Sequence, residues 1–191
     1  ALSRTEGQPA KSDALLRRAK LCPTWYRLAI TKIHRKAHGP MSVAPPVIID
    51  TDPGIDDALA LALAFRSPEL NISMVSTVAG NVDIGPATLN AGLLLDLFEA
   101  PSPCLLAKGS AKPLRGSRSN AENFHAHDGL GGTRNQLIES GVTARRASAG
   151  AVKRMVQAAR EFGDNLTIIA LGPLTNIAHA VRLDPVAMAG I

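Results

Sequence analysis

Hydrophobic and polar positions along the body of this chain fall into short runs of alternating type. Val47-Ile48-Ile49 is a brief β-branched run. Pro53-Gly54 then breaks the chain, and a long apolar stretch reaches to Phe65. That order reads as a buried strand, a tight turn and a helix from near Ile55 to Arg66, the turn resting on the fixed φ of proline and the freedom of glycine. Beyond Ser67-Pro68, Asn71 to Val78 is β-rich. Asp83 to Pro86 leads into a helix through Glu99 whose apolar positions are Leu89, Leu93, Leu94, Leu97 and Phe98. Pro103 to Ala107 is a short strand. The stretch from Lys108 to Arg146, rich in Gly, Ser, Asn and Arg, suits a functional loop better than a packed element. Ala147 to Phe162 is expected to be helical, Leu166 to Leu171 a strand, and Pro173 to Leu183 a last helix closed by Asp184-Pro185. Strands alternating with helices imply an α/β fold with an open, mostly parallel sheet, flanking helices, and ligands at the carboxyl ends of the strands.

Charge changes the picture only at one end. The 191 residues carry a formal +5, which by itself invites a nucleic-acid reading. Residues 1–40 hold nine Lys/Arg against Glu6 and Asp13, a balance of +7, whereas residues 41–191 hold twelve Lys/Arg against fourteen acids, a balance of −2. The basic excess therefore belongs to a leader, and no nucleic-acid partner is expected for the body. The leader has the Arg-rich, acid-poor composition of a transit peptide, and its LLRRAKLCPTWYRLAITKIHRK stretch could form a basic amphipathic helix. Extra upstream sequence that is poorly ordered or not native explains it better. Met41 stands just before the first strand, so the division is 1–40 leader and 41–191 α/β domain. No stretch is long and apolar enough to span a membrane. Two cysteines, Cys22 and Cys104, make no disulfide framework, which suits a reducing, cytoplasmic setting.

The chemistry concentrates at the first strand end, where Asp50, Asp52, Asp56 and Asp57 lie within eight residues. Complementation of a helix dipole, worth about 0.3–1 kcal/mol per acid, accounts for one or two of them. Two carboxylates about 4 Å apart repel by roughly 4 kcal/mol at an effective dielectric near 20, which exceeds that return. No Lys or Arg lies between Met41 and Phe65 to neutralise the cluster. Hard oxygen donors without a neighbouring His or Cys point to Ca2+ or Mg2+ rather than zinc.

The segment DTDPGIDDALAL, starting at Asp50, resembles the N-terminal signature of the nucleoside hydrolases, the inosine-uridine preferring, calcium-dependent N-ribohydrolases. Four further stretches carry the likeness. STVAGN ending at Asn81 resembles the family's VxGN. Gly109 to Leu114, GSAKPL, resembles GxxKPL. Phe124 to Gly131, FHAHDGLG, resembles HGxDGLG, with Ala126 in place of a glycine. Ile168 to Ile177, IIALGPLTNI, resembles the LGPLTN segment. The resemblance implies a Rossmann-like nucleoside hydrolase fold over Val47 to Ile191. It also implies that members are considerably longer, with a C-terminal part that brings further ribose-binding residues, a second His and a final Asp ligand. The chain is accordingly expected to be the N-terminal part of such an enzyme, with its own turnover in doubt.

Residue by residue, the resemblance implies Asp52 as metal ligand and general base, Asp57 as a main Ca2+ ligand, and the main-chain carbonyl of Leu171 as another. Asp56 binds ribose hydroxyls, and Asn81 faces the substrate. His125 serves the leaving base, Asn90 has a structural role, Asp50 orients the loop, and His127 has no role. The implied partners are a small-molecule ribonucleoside and, for the longer protein, copies of itself as a homo-oligomer. Two readings compete. IIDTD also resembles the apolar strand and D-x-D of haloacid-dehalogenase-like phosphatases, with Asp50 as nucleophile, although Pro-Gly follows where a Thr is usual. The other is a non-catalytic truncated product or binding module.

Overall fold

The computed structural model describes residues 44–117 and 121–191. The readings of the leader, including Cys22, fall outside them. The chain enters through β1 (Pro46–Thr51), turns into α1 (Ile55–Arg66), and continues as β2 (Asn71–Thr77), α2 (Ile84–Leu97) and β3 (Leu105–Lys108). Two short helices, α3 (Glu122–His125) and α4 (Arg134–Glu139), precede β4 (Ser148–Ala149) and α5 (Ala151–Phe162). A 3-10 turn (Gly163–Asn165) leads to β5 (Thr167–Ala170), then α6 (Thr175–Leu183) and α7 (Pro185–Met188).

All five strands are parallel, in the order β4-β3-β2-β1-β5. Neighbouring residues of β1 serve opposite faces of this sheet. Val47 and Ile49 join one core with Leu61 and Phe65 of α1 and Leu94 and Leu97 of α2. Ile48 joins the other with Met155 of α5, Ala180 of α6 and Met188 of α7. A strand covered on both faces must be apolar at successive positions, which is why Val47-Ile48-Ile49 shows no alternation. The chain steps outward from β1 through β2 and β3 to β4, then returns to place β5 on the other side of β1. The reversal falls at the carboxyl ends of β1 and β5, the place where open α/β sheets bind their ligands.

The helix expected from Ala147 begins four residues later. Ser148 and Ala149 pair with Ala107 and Lys108 as β4, and Gly150, at φ 84°, turns the chain into α5. Asp184-Pro185 does not simply close α6. The Asp184 carboxylate accepts from Ala187 N at 3.0 Å to start α7, and it pairs with Arg160 of α5. The stretch from Lys108 to Arg146 is mostly irregular, as its composition suggests, apart from α3 and α4.

Candidate active site

Asp52 follows directly on β1 and is 4% exposed. Its Oδ2 accepts from the backbone N–H of Asn81 at 2.7 Å, while the Asn81 side-chain amide donates to Asp52 O and to Asp57 Oδ2, each at 3.2 Å. Two glycines make room for the carboxylate. A Cβ on Gly80 would stand 2.0 Å from Oδ2, and one on Gly172 would stand 2.6 Å from Oδ1, so any side chain at either position would displace Asp52. Burial pushes the Asp52 carboxyl up to about 6. The Asn81 N–H opposes that rise, and the charges of Asp57 and Asp56 add to it.

Asp57, in the first turn of α1, points back toward the strand end. It accepts from Thr51 Oγ1 at 2.5 Å and from Gly54 N at 2.9 Å, closing the N-terminus of the helix. Asp56 faces outward, its side chain 80% exposed, with Oδ1 3.9 Å from His125 Nε2. The His125 ring is anchored at its other nitrogen, which accepts from Ile55 N at 3.2 Å. His127 instead pairs with Glu122 at the surface, 2.8 Å away. The loop between these histidines is strained as its sequence suggests: Ala126 takes φ 60° where glycine carries no penalty.

Asp50 is inaccessible to solvent. Its Oδ1 accepts from Ser76 Oγ and from Asn176 Nδ2, and burial raises its carboxyl to about 6 against those two hydrogen bonds. Its backbone oxygen accepts from Leu171 N at 2.8 Å and Gly172 N at 3.3 Å, which pins the end of β5 beside Asp52. A carboxylate held in this way cannot reach a phosphate in solvent, so Asp50 is not the nucleophile of a phosphatase. It orients the strand-end loops. Asn90 is likewise structural: its Nδ2 donates to Pro53 O and Asp128 O, tying the acidic turn to the loop that follows His125.

Asp52, Asp57 and Asn81 are thus in direct contact, Asp56 and His125 face each other at the rim, and Leu171 is brought alongside by Asp50. Asn176 was missed as part of this assembly. Sequence reasoning places it only near a helix start, yet it donates to Asp50 and to Thr77 O and accepts from Ser110 N. Thr51 and Ser76 were missed for the same reason, since a short hydroxyl in a strand gives no sign of the carboxylate it will meet.

The fit of a cation can be judged from the donors. Carboxylate and carbonyl oxygens suit a hard ion, and among the described residues no Lys or Arg pairs with Asp50, Asp52 or Asp57. Among those residues, no three His, Cys, Asp or Glu side chains stand ready as a cage, because Asp57 turns its oxygens to Thr51, Gly54 and Asn81. The donor set therefore fits a hard cation in kind, as part of a shell. Also among them, no helix is long and apolar enough to cross a membrane.

Comparison with known proteins agrees with this geometry. The family described as "Inosine-uridine preferring nucleoside hydrolase" matches residues 47–191. "Probable uridine nucleosidase 1" of Oryza sativa subsp. japonica is 40% identical over 140 residues, which cover 73% of this chain and 42% of that protein. "Non-specific ribonucleoside hydrolase RihC" of Escherichia coli (strain SMS-3-5 / SECEC) is 40% identical over 133 residues, covering 70% of this chain and 42% of that protein. The solved plant nucleoside hydrolase PpNRh1 superposes with a TM-score of 0.63 at 39% identity, covering 75% of this chain and 44% of that one. The chain spans less than half the length of these relatives. Its sheet, its acidic strand end and its sequence make it a member of the inosine-uridine preferring nucleoside hydrolase family.

Proposed function

We propose that this chain carries the water-activating part of a nucleoside N-ribohydrolase, which cleaves the N-glycosidic bond of a ribonucleoside to give ribose and free base. The observation that carries the reading is Asp52. It is a buried carboxylate with a raised proton affinity, fixed by Asn81 at the switch point of the sheet and free of any cationic partner among the described residues.

Breaking an N-glycosidic bond passes through an oxocarbenium-like sugar that water attacks at the anomeric carbon. Asp52 takes the proton of that water as general base. The Asn81 N–H and the close approach of Gly80 and Gly172 hold the carboxylate in one place, which is the positioning that proton transfer to a general base requires. Asp56, exposed at the rim, accepts hydrogen bonds from ribose hydroxyls, and such charge-assisted contacts hold the sugar in register. Asn81 keeps Asp52 and Asp57 in their relative positions and faces the substrate. His125 stands beside Asp56, with Nε2 3.9 Å from Asp56 Oδ1, on the side of the leaving base.

Ca2+ is the cation of this reading, held by Asp52, Asp57 and the Leu171 carbonyl. When bound it supplies the Lewis acidity that lowers the pKa of the attacking water. Thermal unfolding of this chain with and without Ca2+ tests the assignment, because a ligand of the folded state raises Tm by mass action. Tm should rise with Ca2+ in the parent sequence and stay unmoved in Asp52→Ala. A rise that survives Asp52→Ala puts the ion elsewhere.

A further inference from the structure

The surroundings of His125 decide which of its nitrogens carries a proton. The N–H of Ile55, the first residue of α1, points at Nδ1 across 3.2 Å. A donor needs a lone pair on the atom it meets, so Nδ1 is bare and the ring's proton is on Nε2. Nε2 lies 3.9 Å from Asp56 Oδ1, too far for a direct hydrogen bond. A hydroxyl oxygen seated against both atoms would accept from Nε2–H and donate its own hydrogen to the carboxylate. The histidine side chain is 16% exposed and that of Asp56 is 80% exposed, so a fixed donor confronts a carboxylate open to solvent.

We propose that His125 acts as a neutral hydrogen-bond donor through Nε2, gripping one sugar hydroxyl of a riboside together with Asp56, and not as the acid that protonates the leaving base. The proposal rests on the hydrolase reading above. A histidine acting as the acid would begin as imidazolium, with hydrogens on both nitrogens, and an Nδ1–H would collide with the Ile55 N–H. On bond cleavage the electron pair stays with the base nitrogen, whose proton then comes from solvent water.

The tautomer is read directly by long-range 1H–15N NMR of the labelled chain at pH 7. The expected pattern is a bare Nδ1 and a protonated Nε2. Ile55→Pro deletes the N–H together with the isoleucine side chain, at the first helical position where proline is favoured, and should yield a mixture of tautomers, whereas Ile55→Val and Ile55→Ala, which trim the side chain and keep the N–H, should not. Riboside affinity of the gene product that carries these residues gives a second readout. Gln offers a donor near the place of Nε2 but has no proton to give away. His125→Gln should bind uridine within about twofold of the parent, and His125→Ala should bind about tenfold more weakly, the worth of one such hydrogen bond. Among uridine analogues lacking one sugar hydroxyl, a single analogue should show the same loss and be indifferent to His125→Ala.

A protonated Nδ1, a His125→Gln variant as weak as His125→Ala, or equal sensitivity to His125→Ala with every analogue would overturn the proposal. Failure of the hydrolase reading looks different. In that case the gene product that carries these residues binds no riboside at any concentration, and the hydroxyl grip falls with that reading even if the tautomer is as expected.

Discussion

Asp52→Asn should stabilise this protein when no divalent cation is bound, and the gain should depend on pH in a defined way. The Asp52 carboxyl moves from 3.8 to about 6, chiefly through burial. Above pH 6 both the folded and the unfolded forms are ionised, and the folded form is disfavoured by about 3 kcal/mol relative to a neutral group. Asparagine removes that penalty and still presents an oxygen to the Asn81 N–H, so the variant should gain about 3 kcal/mol at pH 7. The sign with pH follows from proton counting. Between 3.8 and about 6 the folded state holds the proton and the unfolded state has lost it, so parent stability falls as pH rises through this window. Acidification from pH 7 to pH 5 restores about 1.3 kcal/mol through Asp52 to the parent alone, while Asp50, raised to about 6 in both proteins, contributes equally to each and cancels, so the gain shrinks to about 1.7 kcal/mol. For a domain of this size 1 kcal/mol moves Tm by about 2–4 °C. Asp128 and Asp184 do not blur the comparison. The carboxyl of Asp128, for which burial is outweighed by the N–H groups of Arg134, Gly132 and Leu130, sits below 3.8, as does that of Asp184, bonded by Ala187 N and Arg160. Their contributions are lost only as pH falls below that range. Thermal melts in EDTA at both pH values give the numbers. A variant less stable than the parent at pH 7, or a gain that does not change with pH, refutes the account of Asp52.

Asp57 should respond in the opposite sense: Asp57→Asn in EDTA should cost about 1 kcal/mol, since it weakens the charged closure of α1 on Gly54 N, and chemical denaturation reads it. Ala126→Gly should raise stability by about 1 kcal/mol in the same assay by relieving φ 60°, and a loss would show that the loop has another conformation. Asn176→Leu should cost about 3 kcal/mol or more, because Asp50 Oδ1, Thr77 O and Ser110 N lose a partner inside the sheet end.

The chain's own pattern announces most of the fold. Strand β1, the turn at Pro53-Gly54 and helix α1 stand where the apolar runs and breakers put them, because a strand buried on both faces and a helix with acids in its first turn leave strong local signals. Strand β4 does not. Two residues, Ser148 and Ala149, are strand only because β3 lies beside them, and such a tertiary decision has no local periodicity. The acidic cluster was legible because like charges without neighbouring cations are costly and need a reason. The inward turn of Asp57 toward Thr51, Gly54 and Asn81 was not, since it depends on where the Asn81 amide arrives from β2. Asn176 was hidden for the same reason. Its partners, Asp50, Thr77 and Ser110, come from three separate parts of the chain.

Release of reducing sugar from uridine and inosine, followed in Ca2+ and in EDTA, tests the central claim most directly when made on the gene product that carries these 191 residues. Ribose should appear in Ca2+, and Asp52→Ala should lower its rate by about 10²–10⁴-fold, the usual contribution of a positioned general base. Ribose released at an undiminished rate by Asp52→Ala, or none released from either nucleoside by the parent, would contradict the account.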